Sequence, residues 1–201
     1  MVQLRIWAGI LAGILSLVAF VPYIIAILRG KIKPNRASWW IWTVMGLVLG
    51  LSYYSSGANG TIWVPVSYFI GPLVTAILSI RYGEGGWTKF DRVCIFAACV
   101  STIPWVILSL FFHSREAALP TLIIGLCIDF AGAVPTIRKA YREPESEDRL
   151  AWSMFFLANI LNVVAIDRWT LEIMVYPVYM MLGGGSIAIL VLWPRRKKRI
   201  P

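Results

Sequence analysis

Apolar residues fall into seven long stretches along the chain, at 6–28, 38–56, 61–81, 92–112, 117–138, 151–167 and 171–193, separated by short polar connections. Each is close to the 17–25 mostly apolar residues that an α-helix needs to cross a bilayer. The sixth is the shortest and carries two asparagines, Asn159 and Asn162. The pattern predicts an all-α integral membrane protein of seven transmembrane helices. The first stretch runs on through Leu28 without a small-residue cleavage site, so it reads as a helix that is kept and not as a secretory signal.

Composition agrees with that pattern. Hydrophobic residues make up 59% of the 201, and charged residues only 14%, about half of what a soluble domain needs to cover its surface. Lys and Arg lie in alternate connections. One set holds Arg29, Lys31, Lys33, Arg36, then Arg81, Lys89, Arg92, then Arg138, Lys139, Arg142, Arg149, and finally the tail Arg195 to Arg199. The other set holds only Arg5, Arg115 and Arg168. The imbalance places the N-terminus outside and the C-terminus in the cytoplasm, in a plasma (inner) membrane. The same distribution explains the net charge of +9 without nucleic acid. The tail WPRRKKRIP reads as an anchor for the last helix, with an anionic-lipid patch as the other reading.

The chain also matches itself. A shift of 113 places Val21-Pro22 on Val134-Pro135, Ile24 on Ile137, Arg29 on Arg142, Arg36 on Arg149 and Trp39 on Trp152. A shift of 112 places Pro65-Val66 on Pro177-Val178 and Gly71 on Gly183. The fourth stretch has no counterpart. The expected organisation is therefore a three-helix repeat over 1–88, a linker helix over 89–114, and a second three-helix repeat with a basic tail over 115–201. An odd number of linking helices makes the two repeats parallel, with a solute site between them near the midplane. Pro22 with Pro135, and Pro65 with Pro177, are candidate hinges, because proline removes a backbone hydrogen bond and kinks a spanning helix.

VPYIIAILRGKIKPNRASWW and its partner VPTIRKAYREPESEDRLAWS combine a proline in the first helix, a basic loop and an entry to the second helix around Ser38 or Ser153. With the three-one-three layout, these segments resemble the SWEET and PQ-loop superfamily of small transporters. The resemblance covers the whole chain as topology. It implies alternating-access transport of a small polar solute. The Gln that often follows the proline in that superfamily is replaced by Tyr23 and Thr136. Sugar-carrying members are expected to place Trp where Gly50 and Val163 stand, and Asn where Gly71 and Gly183 stand. A sugar substrate is therefore not implied.

Asp129, in LCIDFAGAVP, is the ionisable residue placed well inside the predicted bilayer. A carboxylate there marks an ion path, a proton relay or a substrate contact, so proton coupling is an option. Its counterpart 113 residues earlier is Ser16. Asn159 and Asn162 are spaced to share one helix face, opposite the apolar counterparts Gly46 and Leu49. Tyr68, Tyr179 and Ser67 complete the candidate solute-binding set. Trp39, Trp40, Trp42 and Trp152 begin helices, as an interfacial aromatic belt would. The acidic loop REPESED reads as a solvated turn. Gly183 to Gly185 permit close helix approach.

Other classes fit less well. A retinal protein needs a lysine in the last helix for its Schiff base, and 171–193 has none. The one histidine, His113, lies at a helix end, and the three cysteines, Cys94, Cys99 and Cys127, lie in apolar stretches away from it. No metal, cofactor or enzyme activity is expected from these residues. The lipid bilayer and an unidentified small molecule are the expected partners, with homo-oligomerisation left open. A lipid scramblase or a non-transporting membrane subunit is the alternative function.

Overall fold

A computed structural model of the protein describes residues 2–55, 61–84, 88–89, 92–93, 95–96, 100 and 115–193. Its elements are all helical: α1 Val2–Leu28, α2 Arg36–Ser55, α3 Trp63–Tyr82, α4 Arg115–Arg142, a 3-10 turn Pro144–Ser146, α5 Arg149–Val164 and α6 Leu171–Leu192. Each matches an expected apolar stretch to within four residues at either end. The stretch 92–112 lies almost entirely outside the described residues, as do Cys94, Cys99, His113 and the basic tail.

Among the described residues, α1, α3 and α6 are long and apolar enough to cross a membrane. α5 is apolar but only 16 residues long, about 24 Å at helical rise. The outward face of α1 is apolar along its length: Trp7, Leu11, Ile14, Val18, Val21, Ile25 and Leu28 are all exposed. Their spacing of three and four residues makes one continuous stripe.

Side-chain chemistry sets the helix ends. Gly30 takes a positive φ of 67°, which suits a residue without Cβ. The amides of Gly30 and Lys31 then reach back to the carbonyls of Ile27 and Ala26, both at 2.9 Å, closing α1. α2 opens with Asn35 Oδ1 accepting from the Ser38 amide at 3.0 Å. α5 opens with Asp148 Oδ1 accepting from the Ala151 amide at 2.8 Å. Asn35 and Asp148 stand 113 residues apart, so both helices carry the same N-cap at matching places.

Packing partners follow a regular order. α3 packs against both α1 and α2, and α6 packs against both α4 and α5. α1 also packs on α5, and α2 on α4. Exchanging the first three helices for the last three leaves these partnerships unchanged. Close approach between α2 and α3 requires Gly46, because a Cβ there would run into the carbonyl oxygen of Tyr68. Two buried clusters result. One, around Phe20, Tyr23, Trp39, Trp152 and Phe155, lies toward the end where the basic residues gather. The other, around Met45, Tyr53, Leu122, Ile173 and Tyr176, lies toward the opposite end.

The prolines differ in what they do. Pro22, Pro135 and Pro177 lie inside α1, α4 and α6. Pro65 occupies the first turn of α3, where a missing N–H has no helical acceptor to lose. Pro65 and Pro177 therefore do not make matched kinks.

Candidate functional site

A cavity lies between the two buried clusters, walled by residues of α2 through α6. It leaves about 60 Å³ for the centres of water-sized groups. That is well above the roughly 10–15 Å³ needed to admit a single water.

One wall is polar. Asp129, 8% exposed, is on α4 and faces the cavity. The Tyr179 hydroxyl on α6 donates to its Oδ2 at 2.8 Å. The Trp42 indole N–H on α2 donates to the Asp129 backbone carbonyl at 3.3 Å. Asn159 on α5 donates from Nδ2 to the Tyr68 hydroxyl at 3.1 Å, while its buried Oδ1 has no partner among the described residues. The remaining walls are largely aromatic, with Trp39, Trp42, Trp152, Tyr68, Phe155 and Tyr176 all contributing.

Of the six expected solute-binding residues, Asp129, Asn159, Tyr68 and Tyr179 line this cavity. Ser67 does not. It is buried between α1 and α3, hydrogen-bonded to Ser16 Oγ and donating to the Val64 carbonyl at 2.8 Å. Asn162 is also off the cavity wall, fully buried on α5 with neither amide atom paired among the described residues.

The cavity is lopsided, and two residues account for it. In the first three helices Phe20 fills the space beside Gly71, where a Cβ would strike its ring. The residue 113 positions after Phe20 is Ala133, and the one 112 after Gly71 is Gly183. Ala133 and Gly183 both line the cavity, and a Cβ on Gly183 would meet nothing within 4 Å. A small residue replaces the phenyl ring, and the volume opens beside Asp129.

Two sequence expectations are corrected here. Trp39 and Trp152 are only 2% and 5% exposed, so they are not an interfacial belt. They pack into a chain of ring contacts, Tyr23–Trp39 at 5.0 Å, Trp39–Trp42 at 5.1 Å and Trp42–Trp152 at 6.4 Å, which floors the cavity. Their position at a helix start suggested the lipid boundary, but both helix starts fold inward between the two halves.

The acidic loop is not simply solvated either, because Glu147 is 3% exposed. Its Oε1 is 2.8 Å from Lys139 Nζ, and its Oε2 accepts from the Tyr23 hydroxyl at 2.8 Å and the Trp152 indole at 3.0 Å. Lys139 also reaches Glu84 at 3.6 Å and donates to the Lys33 and Ser146 carbonyls. Tyr23, Lys33 and Glu84 come from the first three helices and their connections; Lys139 and Glu147 come from the last three. The cluster ties the two halves together at the basic end. At the opposite end the Tyr53 hydroxyl on α2 donates to the Ile173 carbonyl on α6 at 2.8 Å. Glu147 was hidden in the sequence because neighbouring acids and arginines look alike in a loop; the signal was a Trp five residues on.

No protein-family model matches the chain, and neither does any curated protein or solved structure compared with it.

Proposed function

We propose that the protein is a multi-pass membrane transporter that moves a small polar solute by alternating access. In this reading two parallel three-helix repeats, joined by the linker helix expected over 89–114, rock about the cavity that they share. The organisation is that of a SWEET or PQ-loop-like carrier, with the N-terminus outside and the basic end in the cytoplasm. The apolar stripe on α1 faces lipid, which removes the penalty such a surface would carry in water.

One observation carries the proposal: a buried carboxylate faces a solute-sized cavity at the junction of two helix groups that share one packing order. Both ends of that cavity are crossed by hydrogen bonds between the groups, through Glu147 at one end and Tyr53 at the other. Such contacts can break alternately while the cavity stays between them. Asp129 is the residue for proton coupling, if the cycle is coupled.

The test is flux. The purified chain in liposomes is expected to exchange a labelled solute saturably, and Asp129→Asn is expected to reduce exchange at least tenfold. A lipid-flipping assay on the same liposomes separates the scramblase alternative. Flipping without solute exchange would replace the transporter reading, and neither activity would favour a non-transporting subunit.

A further inference from the structure

We propose that this cavity binds a small organic cation, an alkylammonium or quaternary ammonium group, with Asp129 as its counter-ion and the surrounding rings as its cage. The inference deepens the transporter reading and rests on the same cavity, but it is a statement about binding and can be tested without transport.

Three features point to this class. The first is charge. Asp129 supplies a carboxylate, and the described residues that line the cavity include no Lys, Arg or His. An anionic solute would meet like charge with no cation to offset it. A monocation would form a neutral pair with Asp129, which lowers the cost of holding either charge away from water.

The second is the wall. Trp39, Trp42, Trp152, Tyr68, Phe155 and Tyr176 surround the space. Neighbouring rings meet at steep angles, 84° for Trp39 and Trp42 and 64° for Trp42 and Trp152, so the cluster offers faces in more than one direction. Ring faces carry negative electrostatic potential and attract alkylated ammonium groups, whose charge is spread over methyl groups that shed water readily. A polyhydroxylated solute would need many directional polar partners, and among the described residues the lining offers few beyond Asp129, Asn159 and the tyrosines Tyr68, Tyr176 and Tyr179.

The third is size. A volume of about 60 Å³ restricts the ligand to a small, compact group, of which tetramethylammonium is the simplest probe. The Ala133 and Gly183 side of the cavity places that space next to the carboxylate, not across from it.

The experiment titrates tetramethylammonium and choline into the purified full-length chain in detergent at constant ionic strength. Their neutral and anionic isosteres, 3,3-dimethylbutan-1-ol and pivalate, are run beside them. Tryptophan fluorescence and melting temperature are both recorded, since three cavity tryptophans would sense the ligand. Both cations are expected to quench fluorescence and raise the melting temperature by mass action, with the isosteres inert. Asp129→Asn is expected to weaken cation binding at least tenfold. Equal binding of the neutral alcohol, tighter binding of pivalate, unchanged cation affinity in Asp129→Asn, or no cation response up to tens of millimolar would each overturn the proposal. Cation binding without flux would leave the ligand class standing and remove the transporter reading. Flux of a neutral or anionic solute without cation binding would do the reverse.

Discussion

Tyr179 donates its hydroxyl to Asp129 Oδ2 at 2.8 Å, and the same two places in the first three helices are held by Ser67 and Ser16, which are hydrogen-bonded to each other. The contact between the first and third helix of each half is thus polar on both sides of the molecule. Only one side carries charge. Tyr179→Phe leaves a buried carboxylate without that donor and should cost about 1–3 kcal/mol. Ser67→Ala should cost less, about 0.5–1.5 kcal/mol, because its bonds to Ser16 and Val64 are neutral and no charge is left unpaired. Unfolding of the two variants in mixed micelles gives the comparison; equal losses would mean that the Asp129 contact is not special.

Ala133 is where the phenyl ring of the other half is missing. Ala133→Phe should fill the cavity beside Asp129, preserve helicity and abolish ligand-dependent stabilisation. The reciprocal change, Phe20→Ala, removes a ring that is 2% exposed and packs edge-on against Trp39, Tyr68 and Phe155. It should destabilise by about 3–5 kcal/mol, read from the unfolding midpoint.

Lys139 and Glu147 form a buried ion pair that belongs to the closure of the basic end. Removing one partner leaves the other with weaker compensation, Lys139 with Glu84 at 3.6 Å and Glu147 with the neutral donors Tyr23 and Trp152, so Lys139→Met or Glu147→Gln should each cost about 1–3 kcal/mol, while the double variant should recover part of the loss. The pair is shielded from solvent, so raising salt from 0.1 to 1 M should change the wild-type stability little. Midpoints of the three variants at both salt concentrations check this. In a transporter, either single variant should also raise the labelling rate of a cysteine introduced at the basic end.

Gly46 and Gly183 predict opposite outcomes for the same substitution. A Cβ at Gly46 meets the backbone of Tyr68 and Phe69, which cannot move aside without separating α2 from α3. Gly46→Ala should therefore sharply reduce the folded yield. Gly183→Ala faces open space and should fold normally. Monodispersity on size exclusion after expression is the measurement.

Much of the helical plan was legible from residue order. Six of the seven expected stretches match helices α1 to α6 because burial of a long apolar run, and the lack of backbone hydrogen-bond partners outside a helix, act locally. The shift of 113 that paired Trp39 with Trp152 also paired Asn35 with Asp148, and both caps form for the same local reason. Asp129 stood out because a lone carboxylate in an apolar stretch is costly wherever the chain puts it.

What the sequence by itself determined is therefore the all-helical plan and the carboxylate, Asp129, that stands inside one of its apolar stretches. Only the tertiary structure decided which neighbours those residues meet. Trp39 and Trp152 looked like lipid anchors and became cavity floor; Glu147 looked solvated and became a buried acceptor for Lys139, Tyr23 and Trp152. Asn159 reached the cavity while Asn162, three residues on, did not. Helix periodicity says which residues share a face, but the face that turns toward a partner is set by how helices far apart in the chain pack. Here Phe20 against Gly71, and Ala133 beside Gly183, decide where the protein is solid and where it is hollow.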